Sequence, residues 1–373
     1  MRVKNITLSG FRNYDYASVG FDAGVNIITG ENAQGKTNLL EAIYLLTGGK
    51  SFRTRFDREM ISFNMSEAEI SGETEAANRA HQIRIRLNAG RRKQIWQNGV
   101  SKTASELKDA MTAVLFCPDD LNIIRDGAHA RRKLMDVAVS RIRPGYADLV
   151  TEYARVFENK TRILRDYREN PSLLNALDDF SDVICRYSSR IIRYRAAYIS
   201  LLGQKAADVH KEVSGESEKL DIHYRTTGTI KDPTAPADEL YGYLRDHMKA
   251  HKEAELRCGS CLTGIHKDDL DITVNGKEAR IYASQGQIRT AAVSIKTAER
   301  EICIDETGEC PVLLLDDVLS ELDERRREYV LTKTGGGQIF ITCCDGDSPE
   351  AQVGGKTIRI RNGKILDRTR EDA

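Results

Sequence analysis

The octapeptide Gly30-Glu31-Asn32-Ala33-Gln34-Gly35-Lys36-Thr37 matches G-x-x-x-x-G-K-[ST] in full, and no other feature constrains the fold as much. A loop of this kind closes a β-strand and opens an α-helix, because only there do its backbone N–H groups converge on a polyphosphate. The flanks comply. Val25, Ile27 and Ile28 form a short β-branched run ahead of it, and Leu39, Ile43 and Leu46 follow at i, i+4 and i+7, one face of a helix. Gly30 and Gly35 then let the backbone curl round phosphate oxygens, Lys36 reaches the terminal phosphates, and Thr37 offers a hydroxyl to Mg²⁺. The helix N-terminus adds about half a positive charge facing the same anion. Glu31, Asn32, Ala33, Gln34 and the following Asn38 complete the nucleotide-binding stretch.

Composition limits what else the chain can be. Its 373 residues hold 56 Lys+Arg and 56 Asp+Glu, with a pI near 7.0 and a mean hydropathy of −0.46. That balance excludes a bulk polycation, so any nucleic-acid site has to be a local patch. No window offers the roughly 18 uncharged apolar residues of a membrane span, and no apolar signal core opens the chain, so a cytoplasmic protein without a membrane partner is expected. Of eight cysteines only Cys258 and Cys261 have metal-like spacing. No second pair stands at zinc-ribbon distance, and the thiols read as reduced, packed small hydrophobes.

The period of the apolar residues changes twice. Up to about 125 it is α/β: Ile6 and Leu8 alternate with polar neighbours, as do Ile83, Ile85 and Leu87, and Ala113–Cys117 reads as a buried strand ended by Pro118. From about 126 to 257 it is mainly helical and arginine-rich, with Leu149, Tyr153, Val156 and Phe157 on one face, Leu173 to Ile191 on the next, and Pro171 between the two helices. A strand is expected near Leu220–Tyr224 and a helix near 237–257. From 258 to 373 α/β character returns. The domains expected are therefore a core built from 1–125 and 258–373, with an inserted helical lid at 126–257.

Pro311-Val-Leu-Leu-Leu-Asp316-Asp317 fits a central strand buried on both faces, with two carboxylates at its end, where ligands bind in such sheets. This is a Walker B arrangement. Asp316 is the Mg²⁺ carboxylate, and Asp317 is placed to orient or deprotonate an attacking water; a helix N-cap is the alternative for Asp317. Catalytic roles thus fall to Lys36 and Asp317, and metal ligation to Thr37 and Asp316.

Further motifs carry a family resemblance: Gly10-Phe-Arg-Asn-Tyr14, the extended phosphate-loop region through Ile43, Lys50-Ser-Phe-Arg-Thr54, Gly127–Lys133, Tyr282-Ala-Ser-Gln-Gly-Gln287 and Leu314–Asp323. In this order and over nearly the whole length, they resemble the RecF family of SMC-like, ABC-type ATPases. The resemblance implies an ABC/SMC-type ATPase head, an α/β fold with a compact lid too small for a coiled coil of SMC length. It makes Ser284, Gln285, Gly286 and Gln287 the signature turn that contacts ATP held by a second copy, and Ser320 and Asp323 part of a D-loop at the same interface. Arg12 would approach the nucleotide phosphates, though a solvated turn residue is the alternative. ATP and Mg²⁺ would drive a homodimer with weak, DNA-stimulated hydrolysis acting as a release timer.

The resemblance also implies DNA repair, replication and recombination, under DNA damage and the SOS response. The DNA would be gapped or a single-strand/double-strand junction, without sequence specificity, and the partners RecR and RecO, with RecA loaded indirectly. An architectural DNA-binding ATPase without recombinase loading, or a P-loop metabolic enzyme, are the rival readings. Candidate DNA contacts are Arg53, Arg55, Arg131, Arg132, Lys133 and the i, i+4, i+7 series Arg186, Arg190 and Arg193, which neutralise phosphates without reading bases. No aromatic stacking platform for single strands is evident. The chain departs from the family in lacking a clear Q-loop glutamine, in placing Thr342-Cys343-Cys344 where a switch histidine is common, and in Ile265 and Lys267 within Thr263–Asp269. His266 is an alternative γ-phosphate sensor.

Overall fold

The computed structural model describes residues 1–333, 336–344 and 354–366. By compactness the chain divides into two units: Met1–Leu121 joined by the chain from Lys296 onward, and Asn122–Ile295.

The first unit opens with β1 (Arg2–Phe11), β2 (Tyr14–Gly20), β3 (Val25–Thr29) and, after the phosphate loop, α1 (Lys36–Leu45). β4 (Glu67–Ala76), β5 (Arg79–Asn88), β6 (Arg91–Gln97) and β7 (Val100–Ser101) follow as antiparallel hairpins, then β8 (Ala113–Phe116) and the short α2 (Pro118–Leu121). The β4–β5 and β6–β7 turns, Ala77-Asn78 and Asn98-Gly99, hold both residues at positive φ, the geometry that matches strand twist in two-residue hairpins. One sheet has the order β2-β1-β4-β5-β6-β7.

The second unit contains α3 (Ala128–Ile142), α4 (Tyr146–Asp166), the 38-residue α5 (Leu177–Ser214), β9 (Leu220–Arg225), α6 (Ala237–Cys258), β10 (Asp269–Val274), β11 (Lys277–Glu278), α7 (Ala279–Tyr282) and the start of α8 (Gln285–Thr307). Its core comes from Leu149, Tyr153 and Ile163 of α4, Ile184, Ile191, Ile199 and Leu202 of α5, and Leu240 and Leu244 of α6. Pro171 takes the first position of a 3₁₀ turn, Pro171–Ala176, so Leu173 and Leu174 lie before α5 rather than in it. β10 pairs antiparallel with β9, which ties residues 269–278 to the helical unit. Compactness therefore sets the division inside α8, whereas the change of period falls at 258.

The chain then returns to the first unit with β12 (Val312–Leu315), α9 (Glu324–Lys333), β13 (Ile339–Cys343), β14 (Lys356–Arg361) and β15 (Lys364–Leu366). These complete a second sheet, β15-β14-β3-β13-β12-β8, parallel except for the terminal hairpin. α1 is the layer between the two sheets. Leu39, Leu40, Ile43 and Leu45 join Ile6 and Leu8 of β1, Ile83 and Ile85 of β5, and Leu314 and Phe340 in one core. From Leu39 to Leu45 this helix is apolar except for the buried Glu41, and each such Leu or Ile contributes about 1.5–3 kcal/mol. The phosphate loop is thus mounted on a helix that the core grips from both sides. Among the described residues, no helix is long and apolar enough to cross a membrane.

Candidate functional site

β3, β13 and β12 are parallel neighbours, with Cys343 opposite Thr29 and Leu315 opposite Ile341. Their carboxyl ends lie at one edge, so the phosphate loop after β3, Thr342–Cys344 of β13 and Asp316–Asp317 after β12 come together there. Thr37 Oγ1 donates to Asp316 Oδ1 at 2.9 Å. Thr342 Oγ1 donates to the same oxygen at 3.0 Å and accepts the Asp317 N–H at 2.8 Å. Burial pushes the Asp316 carboxyl above its usual range, while the Thr37 and Thr342 hydroxyls pull it partway back. Asp317 stands at the N-cap position of the turn Val318–Glu321 with φ 50, a conformation that costs an L-residue about 1 kcal/mol or more, yet its side chain makes no capping bond. Its carboxylate is held at the strand end by this backbone geometry and by the Thr342 hydroxyl, 3.4 Å from Asp317 Oδ1.

The loop is shaped by close approaches. A Cβ on Gly30 (φ +153) would stand 2.4 Å from the Ile360 carbonyl, and one on Gly35 (φ +120) 2.9 Å from Asn13 Nδ2 and Tyr14 Oη. Ala33 also has positive φ. Lys36 Nζ donates to the carbonyls of Gly30 at 2.7 Å and Glu31 at 3.1 Å and lies 3.8 Å from Cys344 Sγ, which donates to Asn32 Oδ1 at 3.2 Å. Asn38 Nδ2 donates to Asn13 Oδ1, and Asn13 Nδ2 to the Gln34 carbonyl, at 2.8 and 2.9 Å. From the other side the β14–β15 turn donates the Asn362 N–H to Gln34 Oε1 at 2.5 Å and the Gly363 N–H to the Gln34 carbonyl at 3.0 Å. The sequence reading missed this grip, although Asn-Gly between Ile358–Arg361 and Lys364–Leu366 is a hairpin signal.

Arg12, at φ 55, sends Nε and Nη2 to the two oxygens of Glu41, each at 2.8 Å, and Nη1 to the Glu59 carbonyl at 2.7 Å. Glu41 is fully buried on α1 and also accepts the Ser51 hydroxyl. Arg53 Nη1 lies 3.6 Å from Glu41 and donates to Asn38 Oδ1 at 2.6 Å. All three Arg12 guanidinium nitrogens thus have protein acceptors. Glu41 was not anticipated; an acid inside Asn38-Leu-Leu-Glu-Ala-Ile-Tyr44 is the signal that marks it.

In the D-loop stretch, Ser320 Oγ donates to the Asp317 carbonyl at 2.7 Å, and Asp323 Oδ1 accepts the Arg326 N–H at 2.9 Å, capping α9. In the second unit, Ser284 and Gln287 form a reciprocal capping box at the start of α8: Ser284 N–H to Gln287 Oε1 at 2.9 Å, and Gln287 N–H to Ser284 Oγ at 3.2 Å. Gln285 and Gly286 lie in the first turn of that helix. His266 Nε2 donates to the Cys261 carbonyl at 2.9 Å, which leaves Nδ1 to accept the Tyr153 hydroxyl at 3.0 Å. Burial lowers its pKa to about 4, so it is a neutral structural imidazole with both nitrogens engaged.

Of the basic candidates, Arg53, Arg55, Lys133, Arg186, Arg190 and Arg193 are exposed, the last three on one face of α5. Arg186 pairs with Asp182 at 2.7 Å and lies over the Tyr241 ring. Arg132 is half-buried and donates to the Asp268 carbonyl at 2.8 Å. Arg131 is a correction. It is 4% exposed, holds Asp269 through two nitrogens at 2.6 and 2.9 Å and donates to three carbonyls between Ile123 and Asp126, so it braces its own unit.

A strand-loop-helix phosphate cradle with a buried carboxylate two strands away defines a P-loop ATPase head. Residues 2–362 match the family described as the RecF/RecN/SMC N terminal domain. The chain is 34% identical to the DNA replication and repair protein RecF of Oceanobacillus iheyensis, over 98% of this chain and 100% of that protein, and 37% identical to RecF of Lactobacillus johnsonii, over 98% and 99%. A solved RecF–ATP structure, described as a recombination mediator in the RecFOR pathway, has a TM-score of 0.90 at 34% identity and covers 98% of this chain and 96% of its own. An Smc head bound to a domain of ScpA shares the fold, with a TM-score of 0.57 at 16% identity over 98% and 97%. The chain belongs to the RecF family of SMC-type ATPases.

Proposed function

We propose that this chain is a cytoplasmic, ATP-dependent DNA-binding protein of recombinational repair and replication-fork maintenance. The observation that carries the reading is the Thr37–Asp316 hydrogen bond, 2.9 Å across the carboxyl edge of the parallel sheet, beside a loop whose glycines admit no side chain. Residues 30–38 cradle the triphosphate, and Lys36 turns from the loop carbonyls to its terminal oxygens. Thr37 and Asp316 would hold Mg²⁺, and their hydroxyl and carboxylate are the hard oxygen donors that ion takes. When bound, it neutralises charge on the β- and γ-phosphate oxygens. Asp317 orients or deprotonates the attacking water.

The Ser284–Gln287 turn, with Ser320 and Asp323, meets the nucleotide held by a second copy, and hydrolysis is weak, DNA-stimulated and timed for release. Gapped DNA or a single-strand/double-strand junction is the substrate, bound through Arg53, Arg55, Lys133, Arg186, Arg190 and Arg193, with RecR and RecO as partners and RecA loaded as the outcome. RecFOR membership and ATP in relatives of about 34% identity support this reading. Sedimentation with and without ATP and gapped DNA tests it, comparing the wild type with Lys36→Met and Ser284→Arg. ATP should drive dimers only in the wild type; dimerisation indifferent to ATP and to both changes would sink the model.

A further inference from the structure

The segment after α1 presents exposed aromatic and basic side chains, of which Arg53 also touches the phosphate-loop helix at Asn38. Phe56 is 57% and Phe63 105% exposed, and Arg53, Arg55 and Arg58 are exposed between or beside them. Two bare phenyl rings in one short segment are unfavourable in water unless something covers them.

The backbone that carries them is ordered. Ile61 bridges to Phe11, the Arg12 N–H donates to the Met60 carbonyl and the Ser62 N–H to the Gly10 carbonyl, both at 2.8 Å, and Ser51 Oγ accepts the N–H groups of Arg53 and Thr54. Lys93 Nζ clamps the segment by donating to Asp57 at 2.9 Å and to the Gly49 carbonyl at 2.6 Å. The two acids of the segment are engaged internally, Asp57 by Lys93 and Glu59 by the Thr54 hydroxyl. With Asp57 paired to Lys93, the exposed Arg53, Arg55 and Arg58 outnumber the remaining acid, Glu59, and the segment is net positive. Arg58 already lies over the Phe56 ring, 5.5 Å from its centroid, which keeps a guanidinium beside an aromatic face.

We propose that Phe56 and Phe63 are stacking contacts for unpaired nucleobases of a DNA single strand, with Arg53 and Arg58 neutralising the adjoining phosphates. Every base has a π-face, so stacking on exposed rings needs no sequence, while a paired duplex hides its base faces and offers only phosphates. The segment therefore favours the single-stranded side of a gap. Charge complementarity selects DNA over an apolar protein partner, because the exposed Arg53, Arg55 and Arg58 share the segment with the rings and Arg58 lies over Phe56. The inference rests on the reading that the chain binds gapped DNA and adds which residues recognise the gap.

The test uses the full chain with ATP and a fluorescent gapped duplex beside a fully paired duplex of equal length, for wild type, Phe56→Ala, Phe63→Ala and the double variant. Each ring should account for roughly five- to hundredfold in affinity for gapped DNA, with less than about twofold change on the paired duplex. Phe63→Trp should retain affinity, and its emission should be quenched by single strand, read against the single native Trp96. Equal losses on both DNAs, or full gapped-DNA affinity in the double variant, overturn the proposal, as does loss of a protein partner with DNA affinity intact. If the wild type itself binds no gapped DNA, the functional reading fails and this inference with it.

Discussion

Thr37 Oγ1 and Asp316 Oδ1 meet at 2.9 Å although 279 positions separate them, and the sheet order explains why. β13 lies between the strand that feeds the phosphate loop and the strand that ends in the acids, and its Thr342 hydroxyl bonds the same Asp316 oxygen. Three strands thus fix one carboxylate whose charged form is disfavoured by burial.

Asp316→Asn separates metal holding from stability. The amide keeps an oxygen for the Thr37 and Thr342 hydroxyls but carries no charge to ligate Mg²⁺. Mg²⁺-dependent nucleotide affinity should fall roughly tenfold or more, whereas unfolding in urea should be unchanged or harder, since a desolvated charge is removed. A titration of nucleotide binding against Mg²⁺ checks this. Unaltered Mg²⁺ dependence would remove Asp316 from the site.

Arg12→Ala should behave as a structural lesion. It strips two 2.8 Å bonds from Glu41, a carboxylate with no solvent access, and leaves it with Ser51 and a more distant Arg53. Breaking one side of a buried pair costs about 3–5 kcal/mol. The apolar double variant Arg12→Met/Glu41→Leu should recover much of that stability. Urea unfolding without nucleotide distinguishes this from a phosphate contact, for which stability would be unmoved and only ATP affinity would drop.

The parts of the site that are local in sequence were legible there. Gly30–Thr37 and Pro311–Asp317 each combine a short apolar run with chemistry at its end, and sheets place such ends at ligand crevices. The strands expected at Ala113–Cys117 and near Leu220–Tyr224 and the helix expected near 237–257 were legible from their apolar patterns, and stand at Ala113–Phe116, Leu220–Arg225 and Ala237–Cys258. What required the fold were pairings across long separations. Arg131 sits in a basic run with Arg132 and Lys133 and looks like surface, but Asp269, 138 positions away, draws it into the interior. Glu41 looks like one polar interruption of an apolar helix until Arg12 arrives from the β1–β2 turn. The sequence already put Thr342 where a switch histidine is common; the sheet order adds that its hydroxyl bonds Asp316.

His266 supplies a pH dependence with a definite sign. Burial, opposed by the bond to the Cys261 carbonyl and aided by the charges of Lys267 and Arg132, lowers its pKa from the usual 6.5 to about 4. Between those values the unfolded chain binds a proton that the folded protein does not, so stability falls as pH falls through this window, by on the order of 3 kcal/mol at most. Urea midpoints at pH 7, 6 and 5 should decline more steeply for the wild type than for His266→Gln. Parallel declines would show that another group titrates.

Gly363→Ala tests whether the β14–β15 turn sets the shape of the phosphate loop. Gly363 has φ +68, and a Cβ there would stand 2.1 Å from the Asn13 carbonyl oxygen, backbone that cannot step aside as a flexible side chain would. The turn must shift, and with it the two N–H donors that hold Gln34 at 2.5 and 3.0 Å. The sheet itself should survive, because β14 keeps its parallel pairing with β3. Stability should fall by roughly 1–3 kcal/mol, and nucleotide affinity should fall in addition, because Gln34 is then held from one side only, by Asn13. Gln34→Ala, which removes just the side-chain half of the grip, should show the smaller affinity loss and little change in stability. Both variants are compared by thermal unfolding without nucleotide and by binding of a fluorescent ATP analogue; wild-type affinity in Gly363→Ala would mean that the loop holds its shape without the turn.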